Sequence, residues 1–284
     1  MSATPIEISV AVSRTATRWI TASFADWNKL ASELGKLMDT NCGTETHEEY
    51  MALPKAKRDD LKDVGGFVGG TLRDGRRSRG CCTGRSLITL DMDNCAPGST
   101  GQWVSTIQSM GTAAVYSTRK HDPEHPRLRA IFPTDRVMQP EEYQPCARML
   151  AQMLDPTMAV FDPTTFETER LMYWPSRSKD SNWVCSSTED GSRVCVDDLL
   201  WLYADWHDVR QWPACPSETV QRPGVKQADP TTKQAPLGAF CRTSHLPAAP
   251  DKFLPRAYTV AGAGPLPSAP GSPPTGELAD AQDN

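Results

Sequence analysis

The sequence has no long hydrophobic run and no excess of positive charge. No stretch approaches the roughly 20 apolar residues of a membrane-spanning helix, so we expect no contact with a membrane. The first residues contain no apolar segment typical of a secretory signal peptide, and we therefore expect a cytoplasmic protein. The formal net charge of −5 gives no indication of nucleic-acid binding at the level of the whole chain, which leaves that role to local basic clusters.

Motifs for phosphate loops and metal knuckles are also missing. The chain contains no Gly-x-x-x-x-Gly-Lys-Ser/Thr sequence, and the glycine-rich stretch at residues 65–70 (GGFVGG) lacks that ending. The nine cysteines are odd in number, and their spacing fits neither a disulfide framework nor a zinc site. The cysteines therefore indicate a protein of a reducing compartment.

Proline and glycine are unevenly distributed, which predicts the domain organisation. Many of the 24 prolines and 19 glycines follow Trp212. We expect a folded domain over residues 1–207 and a linker over residues 208–246 that contains the segment GAFCRT (residues 238–243). Residues 247–284 are rich in proline, glycine and alanine and cannot bury a core, so we expect a disordered tail.

Hydrophobic periodicity predicts an α+β fold. Thr46 and Glu49 have the spacing of a helix capping box, and Asp190-Gly191 is typical of a hairpin turn. The remaining patterns predict strands at residues 6–13, 65–70, 112–118, 127–133 and 171–175 and a hairpin over residues 183–196. They also predict helices from about residues 27 and 100 and over residues 140–154 and 196–206. The strands at 112–118 and 127–133 are close enough along the chain to form an antiparallel pair.

The stretch at residues 86–94 (SLITLDMDN) organises the chemistry. It is a buried strand that ends in two carboxylates, Asp91 and Asp93, which point the same way because strand side chains alternate faces. Like charges this close repel, and a divalent cation such as Mg²⁺ or Mn²⁺ removes the conflict. The alternative is a plain strand followed by an Asp-Asn turn with solvated carboxylates, which Asp-x-Asp alone does not exclude.

A third acidic residue, Asp162, follows later in the chain. Together with Asp91 and Asp93 it would supply three oxygen ligands, enough for a two-metal site completed by water and substrate phosphates. Such a site aligns a 3′-hydroxyl with the α-phosphate of a nucleoside triphosphate. We therefore assign catalytic and metal-binding roles to these three residues.

Basic residues flank the acidic pair on both sides. Arg127 and Arg129 alternate along one strand face and could clamp phosphate, and His121 in the preceding turn could donate a hydrogen bond to a triphosphate. The cluster upstream suits the phosphates of a nucleotide or of a template strand, although charge runs are more often solvated surface; it consists of Arg73, Arg76, Arg77, Arg79 and Arg85.

These motifs in this order resemble a known family. SLITLDMDN, YSTRKH, RLRAIFP and FDPTTFETERLMYWPS are similar to the catalytic core of archaeo-eukaryotic-type primase-polymerases. In particular they resemble the N-terminal primase-like domain of phage and prophage replication proteins of the virulence-associated E family. The resemblance implies an RRM-like sheet with flanking helices, template-directed DNA primase or polymerase activity, Mg²⁺ or Mn²⁺, a single-stranded DNA template and nucleoside triphosphates. It also implies nucleotide contacts from Ser117, His121, Arg127, Arg129 and Arg170.

Two other functions remain open at this stage. Members of the family usually continue into an ATP-driven helicase, and the absence of its phosphate-loop motif predicts either a helicase acting in trans or a truncated remnant that binds single-stranded DNA without catalysis. A nuclease or relaxase that uses His121 and His125 would need a His-x-His pair near a nucleophilic tyrosine, and three residues separate these histidines.

Overall fold

Nine strands form two antiparallel sheets in the computed structural model, which describes residues 5–189 and 191–218. The first sheet has the order β2-β1-β3-β8 and the second has the order β4-β5-β7-β6-β9. The strands are β1 Ile6–Ala11, β2 Ile20–Phe24, β3 Gly66–Val68, β4 Gly70–Leu72, β5 Cys82–Met92, β6 Ala114–Ser117, β7 Leu128–Met138, β8 Met172–Tyr173 and β9 Cys185–Ser187. The expected α+β fold with antiparallel strands and flanking helices is confirmed, with two sheets where one was expected.

Six α-helices accompany the sheets within the described residues. They are α1 Trp27–Thr40, α2 His47–Ala52, α3 Lys55–Leu61, α4 Thr100–Ser109, α5 Pro140–Leu154 and α6 Val196–Trp201. Asp26 caps α1 by accepting from the Lys29 main-chain N–H, and α2 begins with the expected capping box of Thr46 and Glu49. Helix α5 has the expected bounds because Pro140 occupies its first turn, where a missing N–H costs nothing.

The second sheet is the centre of the fold and has helices on one of its faces. Strands β5, β7 and β6 lie side by side, and the chain runs β5-α4-β6-β7-α5, the beginning of a β-α-β-β-α-β unit. Side chains of β5 and β7 such as Ile88, Leu90 and Phe132 pack with α4, α5 and α6 in the largest apolar cluster. Leu87 and Ile131 contribute to a second cluster with α1 and the first sheet. Each face of the long strands is therefore covered.

Three segments differ from the sequence-based expectation. Residues 65–70 form two short strands in different sheets, β3 and β4, because Gly69 and Gly70 let the main chain pass close to β5. Residues 183–196 form no hairpin, because β9 pairs with β6 while Val194 bridges Thr134 on β7. Helix α6 ends at Trp201, earlier than expected.

Packing continues past the boundary expected at residue 207. Cys215 is buried, and the Arg148 guanidinium on α5 donates to the Pro213 carbonyl at 2.8 Å and to both carboxylate oxygens of Glu218. Residues 208–218 therefore belong to the folded body and not to a linker. The GAFCRT segment and the expected disordered tail lie outside the described residues.

Candidate active site

Asp91, Asp93 and Asp162 line one cleft at the end of β5. Asp91 is the penultimate residue of β5, and Asp93 lies just past the end of the strand. Phe161 bridges Met92, and the Asp162 main-chain N–H donates to the Asp91 carbonyl at 2.9 Å. The main chain thus brings together an acidic residue and an acidic pair that lie about 70 positions apart in the sequence.

Thr165 fixes the turn that carries Asp162 against β5. Its hydroxyl accepts the Asp91 main-chain N–H at 2.9 Å and donates to the Thr89 carbonyl at 2.9 Å. Asp162 also caps this short 3₁₀ turn by accepting from the Thr164 N–H. Together with the bond from the Asp162 N–H to the Asp91 carbonyl, the two Thr165 bonds make three hydrogen bonds between the turn and β5. Each of these bonds involves a main-chain group, so the main chain fixes the spacing of the acidic residues.

Each of the three carboxylates is paired with one arginine. Asp91 lies directly opposite Arg129 in the β5–β7 register, and Arg129 Nε is 3.3 Å from Asp91 Oδ1. Arg127 Nη1 is 3.0 Å from Asp93 Oδ2, and Arg170 Nη2 is 3.1 Å from Asp162 Oδ2. The arginines neutralise the repulsion within the acidic group, and each lies within reach of phosphate groups that would enter the cleft.

Burial controls the electrostatics at Asp91. It raises the pKa of the Asp91 carboxyl above its ordinary value, while Arg129 opposes that rise and the nearby Asp93 and Asp162 add to it. Burial on its own would lower the pKa of the Arg129 guanidinium. The attraction of the Asp91 carboxylate opposes this effect, and the pKa of Arg129 is raised above its ordinary value. Asp91 Oδ1 is buried and accepts no hydrogen bond of good geometry within the described chain. This oxygen faces Arg129 Nε at 3.3 Å, so an ion pair without a well-aligned hydrogen bond holds it.

The cleft is positively charged although the chain is negative. Its volume is about 560 Å³, within the range typical of small-molecule sites. Four acidic residues line it, Asp91, Asp93, Asp162 and Glu167, and eight basic ones, Arg14, Lys62, Arg77, Arg119, Lys120, Arg127, Arg129 and Arg170. This balance suits a polyanionic ligand.

Arg119 is a cleft residue whose role the sequence did not reveal. It is 6% exposed, forms an ion pair with Glu45, and its guanidinium lies 5.4 Å from the Tyr50 ring centroid. Its Nε is buried and has no hydrogen-bond partner among the described residues. Neighbouring Lys120 is desolvated and faces other cations, both of which lower its pKa. The partner Glu45 is 74 positions away, so no local pattern could indicate the pair.

Ser117 and His121, both expected at the nucleotide, lie in different places. Ser117 lines the cleft, and its hydroxyl accepts the Val184 main-chain N–H at 3.0 Å. His121 is not among the described residues that line the cleft; it lines a second, separate pocket. The structure therefore does not bring His121 to the carboxylates.

The arginine-rich hairpin between β4 and β5 divides into an exposed part and one buried residue. Arg73, Arg76, Arg77 and Arg79 are exposed, and Arg77 also lines the cleft. Arg85 is fully buried, and its guanidinium donates to the Leu87 and Thr168 carbonyls. The expectation that Arg85 contacts nucleic acid is therefore wrong for this structure, since its side chain lies inside the protein.

Comparison with known proteins identifies the family. The model of the VapE N-terminal domain family matches residues 2–215, about three quarters of the chain. The chain belongs to this family. The resemblance drawn from the motifs is thus confirmed at the level of the VapE N-terminal domain. No curated protein matches the sequence.

One solved structure is similar to this VapE N-terminal domain. It is the AEP domain of the primase-polymerase of cyanophage S-2L, at 12% sequence identity and a TM-score of 0.34. The similarity covers 71% of this chain and 89% of that one.

The acidic residues of this VapE domain fit a divalent cation by chemistry but do not form a ready-made metal centre. Three carboxylates line the cleft, and hard cations prefer such oxygen ligands. Over residues 5–189 and 191–218, however, no group of three or more His, Cys, Asp and Glu side chains is placed to hold a metal ion. Each of the three carboxylates is paired with an arginine instead. In the same ranges, no helix is long and apolar enough to cross a bilayer.

Proposed function

We propose that this VapE N-terminal domain is a metal-dependent, template-directed nucleotidyltransferase of the primase-polymerase type. The observation that carries the proposal is the convergence of Asp91, Asp93 and Asp162 in one cleft whose other charged residues are mostly cations. Nucleotidyl transfer needs carboxylates beside a binding site for a triphosphate. The order of motifs along the sequence supports the same reaction.

In this proposal the arginines that pair with the carboxylates bind the phosphates of the substrate once it enters the cleft. Arg127, Arg129 and Arg170 hold the carboxylates apart from one another in the protein alone. When a nucleoside triphosphate enters, the same guanidinium groups bind its phosphates, because arginine pairs with phosphate as well as with carboxylate. Arg119, held by Glu45, contributes a further cation to the cleft.

The acidic residues bind the cations that the reaction requires. Asp91 shares the cleft with Asp93 and Asp162, and its Oδ1, which accepts no well-aligned hydrogen bond from Arg129, is the oxygen that a cation would take over. Mg²⁺ or Mn²⁺, when bound, supplies the Lewis acidity that activates a 3′-hydroxyl and stabilises the charge on the departing pyrophosphate. Asp93 and Asp162 complete the ligand set from either side of Asp91.

The exposed arginines of the β4–β5 hairpin bind the single-stranded DNA template. Arg73, Arg76, Arg77 and Arg79 are all solvent-accessible, and Arg77 links this surface to the cleft. Phosphate contacts of this kind position a strand without reading its sequence.

Incorporation of labelled nucleotides on a single-stranded template, with and without Mn²⁺, tests the proposal. Asp91→Asn and Asp93→Asn should each abolish metal-dependent incorporation, because the amide cannot replace a charged oxygen ligand. Asp39→Asn, an exposed change on α1 outside the cleft, is the matched control and should keep wild-type activity. Incorporation by the Asp91→Asn Asp93→Asn double variant at the wild-type rate would refute the proposal.

The arginine pairs favour one other function, binding of single-stranded DNA without turnover. In that case the Asp–Arg pairs are permanent structural ion pairs and no cation displaces them. A thermal-shift titration separates the two functions. Mn²⁺ should raise the melting temperature of the wild type but not of Asp91→Asn if the carboxylates bind metal, and should move neither if the ion pairs are permanent.

A further inference from the structure

A second pocket lies beside the cleft, and none of the functions assigned so far uses it. Its volume is about 430 Å³, and it lies between the beginning of α4 and the segment before β9. The residues that line it are Gly98, Thr100, His121, Pro123, Ser181, Asn182, Trp183 and Val184. No carboxylate is among these described residues, although the whole chain is acidic.

The N-terminus of α4 opens into this pocket without a cap. The helix has ten residues and no acidic residue in its first turn. The Ser99 hydroxyl does not cap the helix and donates instead to the Ala96 carbonyl at 2.6 Å. Thr100, which lines the pocket, has a buried hydroxyl with no hydrogen-bond partner in the described chain. Uncapped N–H groups and the positive end of the helix dipole favour an anion here.

His121 supplies an independent donor to the same pocket. The residue is 3% exposed, and its Nδ1 accepts the Arg127 main-chain N–H at 3.1 Å. Because Nδ1 accepts this hydrogen bond, the proton of the neutral ring lies on Nε2, and burial lowers the pKa of His121, which favours the neutral form. No described residue accepts a hydrogen bond from Nε2, and the ring lines the pocket. A donor that faces the pocket without a protein partner can form a hydrogen bond to a ligand there.

Trp183 provides an aromatic surface at the same pocket. It is 41% exposed and lies outside the apolar core formed by the described residues. The guanidinium of Arg177 lies 5.2 Å from its ring centroid, which supports the ring from one side. An exposed tryptophan beside a basic residue is typical of surfaces on which unpaired bases stack.

The pocket and the cleft are neighbours. Val184 lines the pocket, and its main-chain N–H donates to Ser117 Oγ, which lines the cleft. We propose that the second pocket binds one nucleotide of single-stranded nucleic acid, its base stacked on Trp183 and its phosphate between the α4 N-terminus and His121 Nε2–H. This inference rests on the proposed function, because it assigns the contacts of the strand on which the cleft acts.

Fluorescence anisotropy with a labelled single-stranded oligonucleotide tests the stacking contact. Trp183→Ala should weaken binding about 5-fold to about 150-fold, since stacking on an aromatic side chain is worth about 1–3 kcal/mol per base. Trp183→Phe should retain most of the affinity because it keeps an aromatic face. Trp201→Ala is the matched control, since Trp201 is 68% exposed and lines neither pocket.

A second pair of variants tests the phosphate contact without damage to the fold. Gly101 lies in the first turn of α4, and a side chain there meets nothing within 4 Å. Gly101→Asp should preserve or raise the melting temperature, because it complements the helix dipole, and should weaken oligonucleotide binding by charge repulsion. Gly101→Asn has the same shape without the charge and should bind more tightly than Gly101→Asp.

Photo-cross-linking locates the strand directly. An oligonucleotide that carries 5-iodouracil should cross-link at Trp183, as identified by peptide mass spectrometry. Wild-type affinity in Trp183→Ala together with cross-links confined to the β4–β5 hairpin would overturn this inference while leaving the proposed function intact. Failure of the wild type to bind any single strand would instead overturn both.

Discussion

The fully buried arginine in β5 leads to a sharp prediction about stability. Arg85 Nη1 donates to the Thr168 carbonyl at 2.8 Å, Nε and Nη2 donate to the Leu87 carbonyl, and Nη2 donates to Thr89 Oγ1 at 2.9 Å. The guanidinium also lies 3.9 Å from the Tyr143 ring centroid. Its charge is therefore compensated by dipoles and an aromatic face, and all its partners are internal.

Arg85→Met keeps the length of the side chain and removes every donor. The Leu87 and Thr168 carbonyls then lose a charged partner, and a buried acceptor left unsatisfied costs about 1–3 kcal/mol. The uncharged side chain no longer has to be desolvated, which offsets part of this loss. We expect a net loss of about 2–4 kcal/mol in the free energy of unfolding. For a domain of this size that corresponds to a fall in melting temperature of about 4–16 °C.

Urea unfolding followed by tryptophan fluorescence measures this loss. Arg79→Met is the matched control in the same hairpin, because Arg79 is exposed and its change should stay within about 0.5 kcal/mol of the wild type. The effects on binding of single-stranded DNA should be the opposite of those on stability. Arg79→Met should bind the strand more weakly than the wild type, whereas folded Arg85→Met should bind it with wild-type affinity. If the unfolding midpoint of Arg85→Met equals that of Arg79→Met, the internal role assigned to Arg85 is wrong.

Two further predictions concern the scaffold. Gly70→Ala should lower the free energy of unfolding by about 1–3 kcal/mol, because its Cβ would clash with the Gly84 main-chain oxygen across the β4–β5 pair. Gly35→Ala in α1 meets open space and should raise the free energy of unfolding by about 0.5–1 kcal/mol. Chemical unfolding of both variants checks this difference in sign. Burial lowers the pKa of His121 in the folded protein, so the unfolded chain takes up the proton first as the pH falls. The stability contribution of neutral His121 should therefore be present above about pH 6.5 and be lost below it, and His121→Gln should flatten that part of the stability–pH profile; an identical profile in the variant would contradict this assignment.

Local patterns predicted the elements whose determinants are local. Helix α5 has its expected bounds because a first-turn proline and a periodic apolar face both lie within its own fifteen residues. The β6–β7 pair was also predictable, since its two strands are adjacent in sequence. Strand character was predicted at residues 65–70 and within 183–196, but the partners of β3, β4 and β9 were not, because they lie far away along the chain.

In the candidate site, too, local sequence predicted some features, and others depend on contacts between distant parts of the chain. The alternation of Arg127 and Arg129 predicted a common face, but only the β5–β7 register shows that Arg129 lies opposite Asp91. Arg85 was misassigned because it closes an arginine-rich run. The deciding fact is structural: β5 begins at Cys82, so Arg85 lies inside the strand, where its side chain is fully buried.

The turn that carries Asp162 is joined to β5 by main-chain partners, through the Asp162 N–H on the Asp91 carbonyl and the Thr165 hydroxyl between two β5 peptide groups. None of these bonds uses a carboxylate oxygen of Asp91 or Asp162. Replacing either acid by its amide therefore keeps these bonds between the turn and β5, although it removes the charge that pairs with Arg129 or Arg170. An inactive variant that melts at the wild-type temperature would thus report lost chemistry and not a collapsed pocket. Thr165 is not among the described residues that line the cleft, yet Thr165→Val would remove both hydroxyl bonds that hold the Asp162 turn against β5 and so loosen the spacing of the acidic residues.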